Sequence, residues 1–340
     1  MPSLRQLIKS CVAPAASCRC FERPIFILAP PRSGSAFLFE CLCQFKEVVH
    51  LDAEADFIWW HHFPYDAMAQ HFPYDAMAQP SDHVAAAALS AAARRRLCRH
   101  LYREAVINRL RQRRSGARWR HLLGLESIRY LDKTIANCFH LEVLERLFPD
   151  ARYLFLVRDP RANIASMIDG WQYLERFGKP QLTSYLRRHA ARAIEHWTYP
   201  APPGWQQVVG LPLAEICAWS WQQHVEAVLA FRARRADDVL QIRYEELVER
   251  PADVVQDIAG ELGLRWSEDV ARYVREARLS RTTVTPPSSD KWHLEHARAI
   301  AQVLPQVRPT ARRIGYELPM MTSEPGPRGA SCRLSRIGPA

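Results

Sequence analysis

Residues 24–40 read Pro24-Ile25-Phe26-Ile27-Leu28-Ala29-Pro30-Pro31-Arg32-Ser33-Gly34-Ser35-Ala36-Phe37-Leu38-Phe39-Glu40. The apolar run Ile25 to Ala29 is short and bounded by prolines, as a buried parallel strand would be. Pro30-Pro31 stops it. A loop of small residues follows, Arg32 to Ala36, and then a helical pattern from Phe37 to Phe45. Strand, loop and helix in that order present backbone N–H groups and a helix N-terminus to an anion. Gly34 lacks a Cβ and tolerates positive φ, so the loop can approach a phosphate closely. Arg32 adds a forked cation, and Ser33 and Ser35 add hydroxyl donors. The stretch has one glycine and no lysine, so it is not a Walker A loop, which needs G-x-x-x-x-G-K-[ST].

Outward from this loop the chain alternates strands and helices. Val48-Val49 reads as a strand and leads into Glu54 to Trp60. Ser81 to Arg114 reads as one or two helices, with Ser81 or Asp82 as N-cap. Ile128 to Leu131 is a strand followed by Asp132-Lys133-Thr134, and residues 137–148 form an amphipathic helix. Arg152 to Val157 is a strand, followed by Arg158-Asp159-Pro160-Arg161 and a helix from Ala162. Beyond a Pro-rich region holding a helix at 186–197 come a helix at 213–235, a strand at 239–244 and a helix at 251–262. A polar loop at 280–290 precedes a last helix, 292–303. Alternation of this kind predicts an α/β fold with a parallel sheet flanked by helices. Ligands in such sheets sit at the carboxyl ends of the strands. Arg32, Lys133 and Arg158 each follow a strand, so they should converge on one edge.

Length and composition set the frame. A chain of 340 residues with 48% hydrophobic and 24% charged residues has the makeup of a globular protein. Residues 1–22 read as a leader without a signal peptide, 23–319 as a single domain, and 320–340 as a disordered tail. No apolar run approaches the ~20 residues of a membrane span. The net charge of +10 lies largely in Arg-rich helical text and reads as solvated helix faces rather than a nucleic-acid surface. Nine cysteines show no zinc spacing, and their odd number without an export signal predicts reduced thiols in the cytoplasm. His62 to Gln70, HFPYDAMAQ, is repeated unchanged at His71 to Gln79. Pro64 and Pro73 argue against helix there, and a duplicated surface loop is the simplest reading.

Arg158 and Ser166 lie eight residues apart, one at a strand end and one two turns along a helix. They can meet only on a ligand that bridges both. Together with the loop PRSGS, this pair resembles sulfotransferases that use 3′-phosphoadenosine 5′-phosphosulfate (PAPS). In that family a Pro-Arg/Lys-Ser-Gly-Thr-Thr loop takes the 5′-phosphosulfate, and an Arg and a Ser eight residues apart take the 3′-phosphate. Here Ser35 stands for the first Thr, and Ala36 replaces the second without its hydroxyl. Asp132-Lys133-Thr134 resembles the family's Glu-Lys-Thr-Pro, with Ile135 for Pro. Arg243-Tyr244-Glu245-Glu246-Leu247 and Pro251 resemble its Tyr-Glu-x-Leu…Pro segment. Lys291-Trp292 resembles the Lys-Trp that follows a cofactor-covering loop. The flavour is that of bacterial stand-alone and tyrosylprotein sulfotransferases.

The resemblance implies a P-loop-like sulfotransferase fold, PAPS as donor and no metal. It implies that Arg32, Ser33, Gly34, Ser35, Ala36, Arg158, Ser166, Lys291 and Trp292 hold the cofactor. Arg32 and Lys133 would neutralise charge on the sulfuryl group and the leaving phosphate. Glu54 is the candidate general base, in a place similar to the catalytic Glu of heparan and tyrosylprotein sulfotransferases. Asp52, Asp56, Asp132, His61 and His62 are its rivals. The acceptor would be a small molecule or peptide, with the aromatic residues of 55–80 and 175–210 favouring an aromatic one. A nucleotide or nucleoside kinase, and a decayed protein that binds the cofactor without catalysis, are the alternatives.

Overall fold

The computed structural model describes residues 16–63, 81–112, 124–177, 199–276 and 291–318. Among the described residues five strands form one sheet: β1 (Ile25–Leu28), β2 (Val48–His50), β3 (Arg129–Asp132), β4 (Arg152–Val157) and β5 (Val239–Arg243). Their order is β2-β3-β1-β4-β5, and every pairing is parallel. The central strand β1 therefore has β3 on one side and β4 on the other. This is the crevice where such sheets bind ligands.

Period-2 alternation explains why β1 has no polar face. Phe26 and Leu28 enter the core on one side of the sheet, while Ile25 and Ile27 enter the core on the other. In β4, Tyr153, Phe155 and Val157 join the first core and Leu154 and Leu156 the second. A strand covered on both faces must be apolar throughout.

The helices are α1 (Ser35–Leu42), α2 (Asp56–His62), α3 (Ala91–Arg111), α4 (Leu141–Leu147), α5 (Pro160–Phe177) and α6 (Leu213–Arg232). After β5 come α7 (Tyr244–Glu249), α8 (Pro251–Leu262), α9 (Glu268–Glu276), α10 (Lys291–Glu295) and α11 (Ala297–Arg313). Leu38, Cys41 and Leu42 of α1 join Val255, Ile258 and Leu262 of α8 and Val270 and Val274 of α9 on one face of the sheet. Helices α3, α5, α6 and α11 cover the other. No helix among the described residues is long and apolar enough to cross a membrane.

Several boundaries differ from the sequence reading. Residues 16–22 are not a detached leader. Phe21 is buried and bridges Ile128 in parallel, with its ring edge-on to Tyr102 and Tyr130. Cys18 is joined to Cys98 as a disulfide, which corrects the expectation that all thiols are reduced. The helix read from Ser81 starts later. Ser90 Oγ caps α3 by accepting from Ala93 N at 3.1 Å, while the Asp82 carboxylate accepts from Ala201 N at 2.6 Å. The helix read over 137–148 is broken at His140 into a 3-10 turn, Ile135–Phe139, and α4. Residues 64–80, which hold most of the duplication, lie outside the described residues, as do the helix at 186–197, the loop at 280–290 and the tail.

Candidate functional site

The loop after β1 takes its shape from two left-handed residues, Arg32 at φ 64° and Gly34 at φ 91°. Gly34 is also the N-cap of α1. The helix begins at Ser35, two residues earlier than its apolar pattern suggests, so the N–H groups of Ser35 and Ala36 stand at its open end. A Cβ on Gly34 would lie 2.3 Å from Cε2 of Tyr244. The tyrosine ring packs directly under the loop, and no other residue fits at position 34.

Ser33 is turned inward, contrary to expectation. Its side chain is fully buried, with Oγ 2.8 Å from Pro30 O and 2.7 Å from Asn163 Oδ1. A hydroxyl with one proton and two acceptors has none to spare for a ligand. Ser33 therefore offers an anion its backbone N–H alone. Asn163 is itself fully buried and donates through Nδ2 to Pro31 O at 2.7 Å. This asparagine, on the first turn of α5, clamps the loop after β1 to the helix after β4.

Arg158 closes the same gap from above β4. Its Nη1 donates to the carbonyl of Arg32 at 3.1 Å, and its Cζ lies 4.6 Å from the centre of the Tyr244 ring. Burial pushes its pKa below the ordinary arginine value, against the opposing pull of Tyr244 and Glu245; arginine stays charged regardless. The chain after Arg158 is held by Glu245, whose Oε1 accepts from Asp159 N at 2.8 Å and whose Oε2 accepts from the Tyr316 hydroxyl. Asp159 in turn takes Arg161 in a forked pair at 3.0 and 2.6 Å. The Arg161 guanidinium sits 4.8 Å over the ring of Trp292. Ser166 is half-buried on α5. One turn further, the aliphatic stem of Arg32 runs past Gly170, where a Cβ would come within 3.3 Å of its Cδ. Lys291 opens α10.

Lys133, directly after β3, donates through Nζ to Glu54 Oε1. Both are half-buried. Thr134 brings them together: its Oγ1 accepts from Ala55 N at 2.6 Å and donates to Asp132 Oδ1 at 2.7 Å. Asn137 Nδ2 donates to the other Asp132 oxygen at 2.8 Å. The Asp132 carboxylate is thus spent on holding the turn, which removes it as a rival base. Asp56 is buried, and its Oδ2 finds no hydrogen-bond partner among the described residues. Burial, then the nearby carboxylates Glu54, Asp82 and Asp132, raise its pKa well above the ordinary aspartate range. Both effects favour its protonated form. Asp52 is exposed. His61 and His62, at the far end of α2, face His100 of α3.

The structure therefore brings Arg32, Gly34 and Arg158 together around Tyr244, and Glu54 together with Lys133. Both groups lie at the carboxyl edge of the sheet. Asn163, Tyr244, Glu245 and Thr134 are the residues that assemble them. The sequence carried Tyr244, Glu245 and Thr134 as parts of motifs without a role, and Asn163 gave no signal beyond a polar residue at a buried helical position.

Comparison with known proteins follows the same lines. The family model described as the sulfotransferase family matches residues 24–209. The nodulation protein NoeE of Sinorhizobium fredii (strain NBRC 101917 / NGR234) is 27% identical over 238 residues, which are 70% of this chain and 49% of that protein. The chain thus spans about half the length of this curated relative. Among solved structures, the sulfotransferase STF9 from Mycobacterium avium is similar at a TM-score of 0.46 and 16% identity, over 85% of this chain and 76% of that one. Mouse sulfotransferase SULT7A1, solved with PAP, is similar at a TM-score of 0.43 and 13% identity, over 91% of this chain and 90% of that one.

Proposed function

Because this chain belongs to the sulfotransferase family, we propose that it moves a sulfuryl group from PAPS to a hydroxyl or amine of an acceptor by in-line displacement. The observation that carries the reading is the bond from Arg158 to the carbonyl of Arg32. It makes one continuous cradle of the loop after β1 and the strand end after β4. The donor set fits a nucleotide with phosphate at both ends. Backbone N–H groups at the start of α1 and the Arg32 guanidinium suit the 5′ end. Arg158 and the half-buried Ser166 suit the 3′-phosphate, and the resemblance adds Lys291 and Trp292, of which Trp292 packs on Arg161. The kinase alternative would need a lysine within the loop, which has none.

Bound there, PAPS supplies the sulfuryl group. The protein's task is to position the acceptor and to neutralise charge on the transferring and leaving oxygens. Lys133 stands at the end of β3, next to the loop strand, where its ammonium can meet that charge. Glu54, oriented by Lys133 and by the Thr134–Ala55 bond, takes the acceptor's proton. Exposed Phe57, at 46% accessibility on the first turn of α2, supports an apolar or aromatic small molecule or peptide as acceptor.

The test is a thermal-shift titration with 3′-phosphoadenosine 5′-phosphate, with ATP and AMP as controls. A ligand at a hundred times its Kd stabilises by about 2.7 kcal/mol. Stabilisation by the 3′-phosphorylated nucleotide alone, lost in Arg158→Ala and in Ser166→Ala, is expected. Stabilisation by ATP instead would overturn the reading, and binding without sulfuryl transfer to any acceptor tested would favour the non-catalytic alternative.

A further inference from the structure

Three histidines meet where α2 ends. His61 and His62 are its last two residues, and His100 lies in the middle of α3. One ring nitrogen from each can be chosen so that all three lie within 4.8 Å of one another. The rings stand nearly perpendicular: His61 and His62 at 82° with centroids 4.9 Å apart, His61 and His100 at 87° and 5.4 Å, His62 and His100 at 80° and 5.3 Å.

That arrangement has the dimensions of a metal tripod. Three imidazoles on a tetrahedral ion, with metal–nitrogen bonds of about 2.0–2.1 Å, place their nitrogens about 3.3 Å and their ring centres about 5.2 Å apart. His62 Nε2 and His100 Nδ1 are 3.1 Å apart. On the outer side of His100, Nε2 faces Glu104 Oε1 one turn on at 3.9 Å, longer than a hydrogen bond but on the side where a carboxylate would support a ligating imidazole. Of the two arginines whose charge reaches the cluster, Arg96 and Arg103, Arg103 is itself drawn to Glu104 at 3.5 Å.

We propose that His61, His62 and His100 form a binding site for a divalent first-row cation of the zinc type, with His62 ligating through Nε2 and His100 through Nδ1. Imidazole donors suit zinc, and a hard ion such as magnesium prefers oxygen. Three protein ligands leave a fourth position for water. The ion would fasten the end of α2 to α3, two turns from Glu54. The proposal stands apart from the sulfuryl-transfer reading and does not depend on it.

The test uses the full chain, stripped with chelator and titrated with Zn²⁺ by calorimetry, and with Co²⁺ by visible absorption. One equivalent of Zn²⁺ is expected, with the intense visible bands of four-coordinate Co²⁺ and no response to Mg²⁺. Single variants His61→Ala, His62→Ala and His100→Ala should each weaken Zn²⁺ binding at least tenfold. His61 is exposed, so His61→Ala keeps the fold, and far-UV circular dichroism verifies each variant. The separate grouping of Asp169, Glu295 and His296 supplies the control: Asp169→Asn should bind as wild type does. Absence of stoichiometric binding, or binding that survives His61→Ala and His100→Ala, would overturn the proposal.

Discussion

Glu54 accepts a hydrogen bond from Lys133 Nζ across the carboxyl ends of β2 and β3, and the Thr134 hydroxyl fixes the backbone on which Glu54 sits. If Glu54 is the general base, Glu54→Gln should lower kcat by ~10²–10⁴-fold while nucleotide affinity stays near wild type. Asp56→Asn makes the discriminating partner. It replaces a buried carboxyl whose pKa is already pushed up by burial, so it should leave kcat close to wild type and should not lower stability. Steady-state kinetics of the two variants decide between the carboxylates. Equal losses in both would move the base away from Glu54.

Asn163 predicts an effect on binding rather than chemistry. Its amide holds Ser33 Oγ and Pro31 O, two points of the anion loop, from inside the protein. Asn163→Ala would leave a buried carbonyl without its donor, at about 1–3 kcal/mol. The loop would lose its tether to α5. The KM for PAPS should rise more than kcat falls, and the Tm should drop. A variant with unchanged KM and a lowered Tm would mean that the clamp serves stability alone.

The contact between Gly34 and Tyr244 separates backbone strain from steric conflict. Gly34→Ala forces a Cβ against the tyrosine ring and asks alanine to adopt φ 91°, a conformation costing of order 1–3 kcal/mol. Trimming the ring in Tyr244→Ala should rescue the steric part only. Denaturant unfolding of the two single variants and the double variant should therefore give a double-variant loss smaller than the sum of the singles. Strict additivity would show that the ring yields without resistance.

The fold was legible because its strands are unusually plain. IFIL has no polar residue and RYLFLV has only Arg152 at its edge and the Tyr153 hydroxyl; both strands contribute to both cores at once, as central parallel strands do. The ligand edge was legible from Arg32, Lys133 and Arg158 each following a strand. The side-chain roles were not. Ser33 reads as a phosphate donor until its rotamer turns it toward Asn163, 130 residues away. Nothing local in sequence encodes such a partner. The disulfide escaped for the same reason, since Cys18 and Cys98 are 80 residues apart. The start of α1 was misplaced because Ser35 and Ala36 carry no apolar signal, while the helix is set by Gly34 in the left-handed region.

Two buried histidines predict how the fold responds to acid. His224 bonds through Nδ1 to Ser220 O at 2.7 Å, packs on Phe139, and has no partner for Nε2 among the described residues. Burial lowers its pKa from 6.5 to about 4 and that of His140 to about 3. Between those values and 6.5 the unfolded chain binds protons that the folded chain refuses. Each histidine's contribution is therefore complete above pH 6.5 and is lost as the pH falls toward its folded value, up to about 3 kcal/mol for His224 and about 5 kcal/mol for His140. The raised carboxyls of Asp56 and Asp132 act in the opposite sense, so the diagnostic quantity is a difference between proteins. His224→Phe keeps an aromatic ring beside Phe139 and removes the titration. The loss of Tm between pH 6.5 and pH 4 should be shallower in His224→Phe than in wild type, and curves that run parallel would show that His224 does not refuse the proton. His140 lies 3.3 Å from Asn137 Oδ1, the residue that holds Asp132 and through it Thr134. Its protonation should therefore reach Glu54, and activity should fall on the acid side together with the Tm.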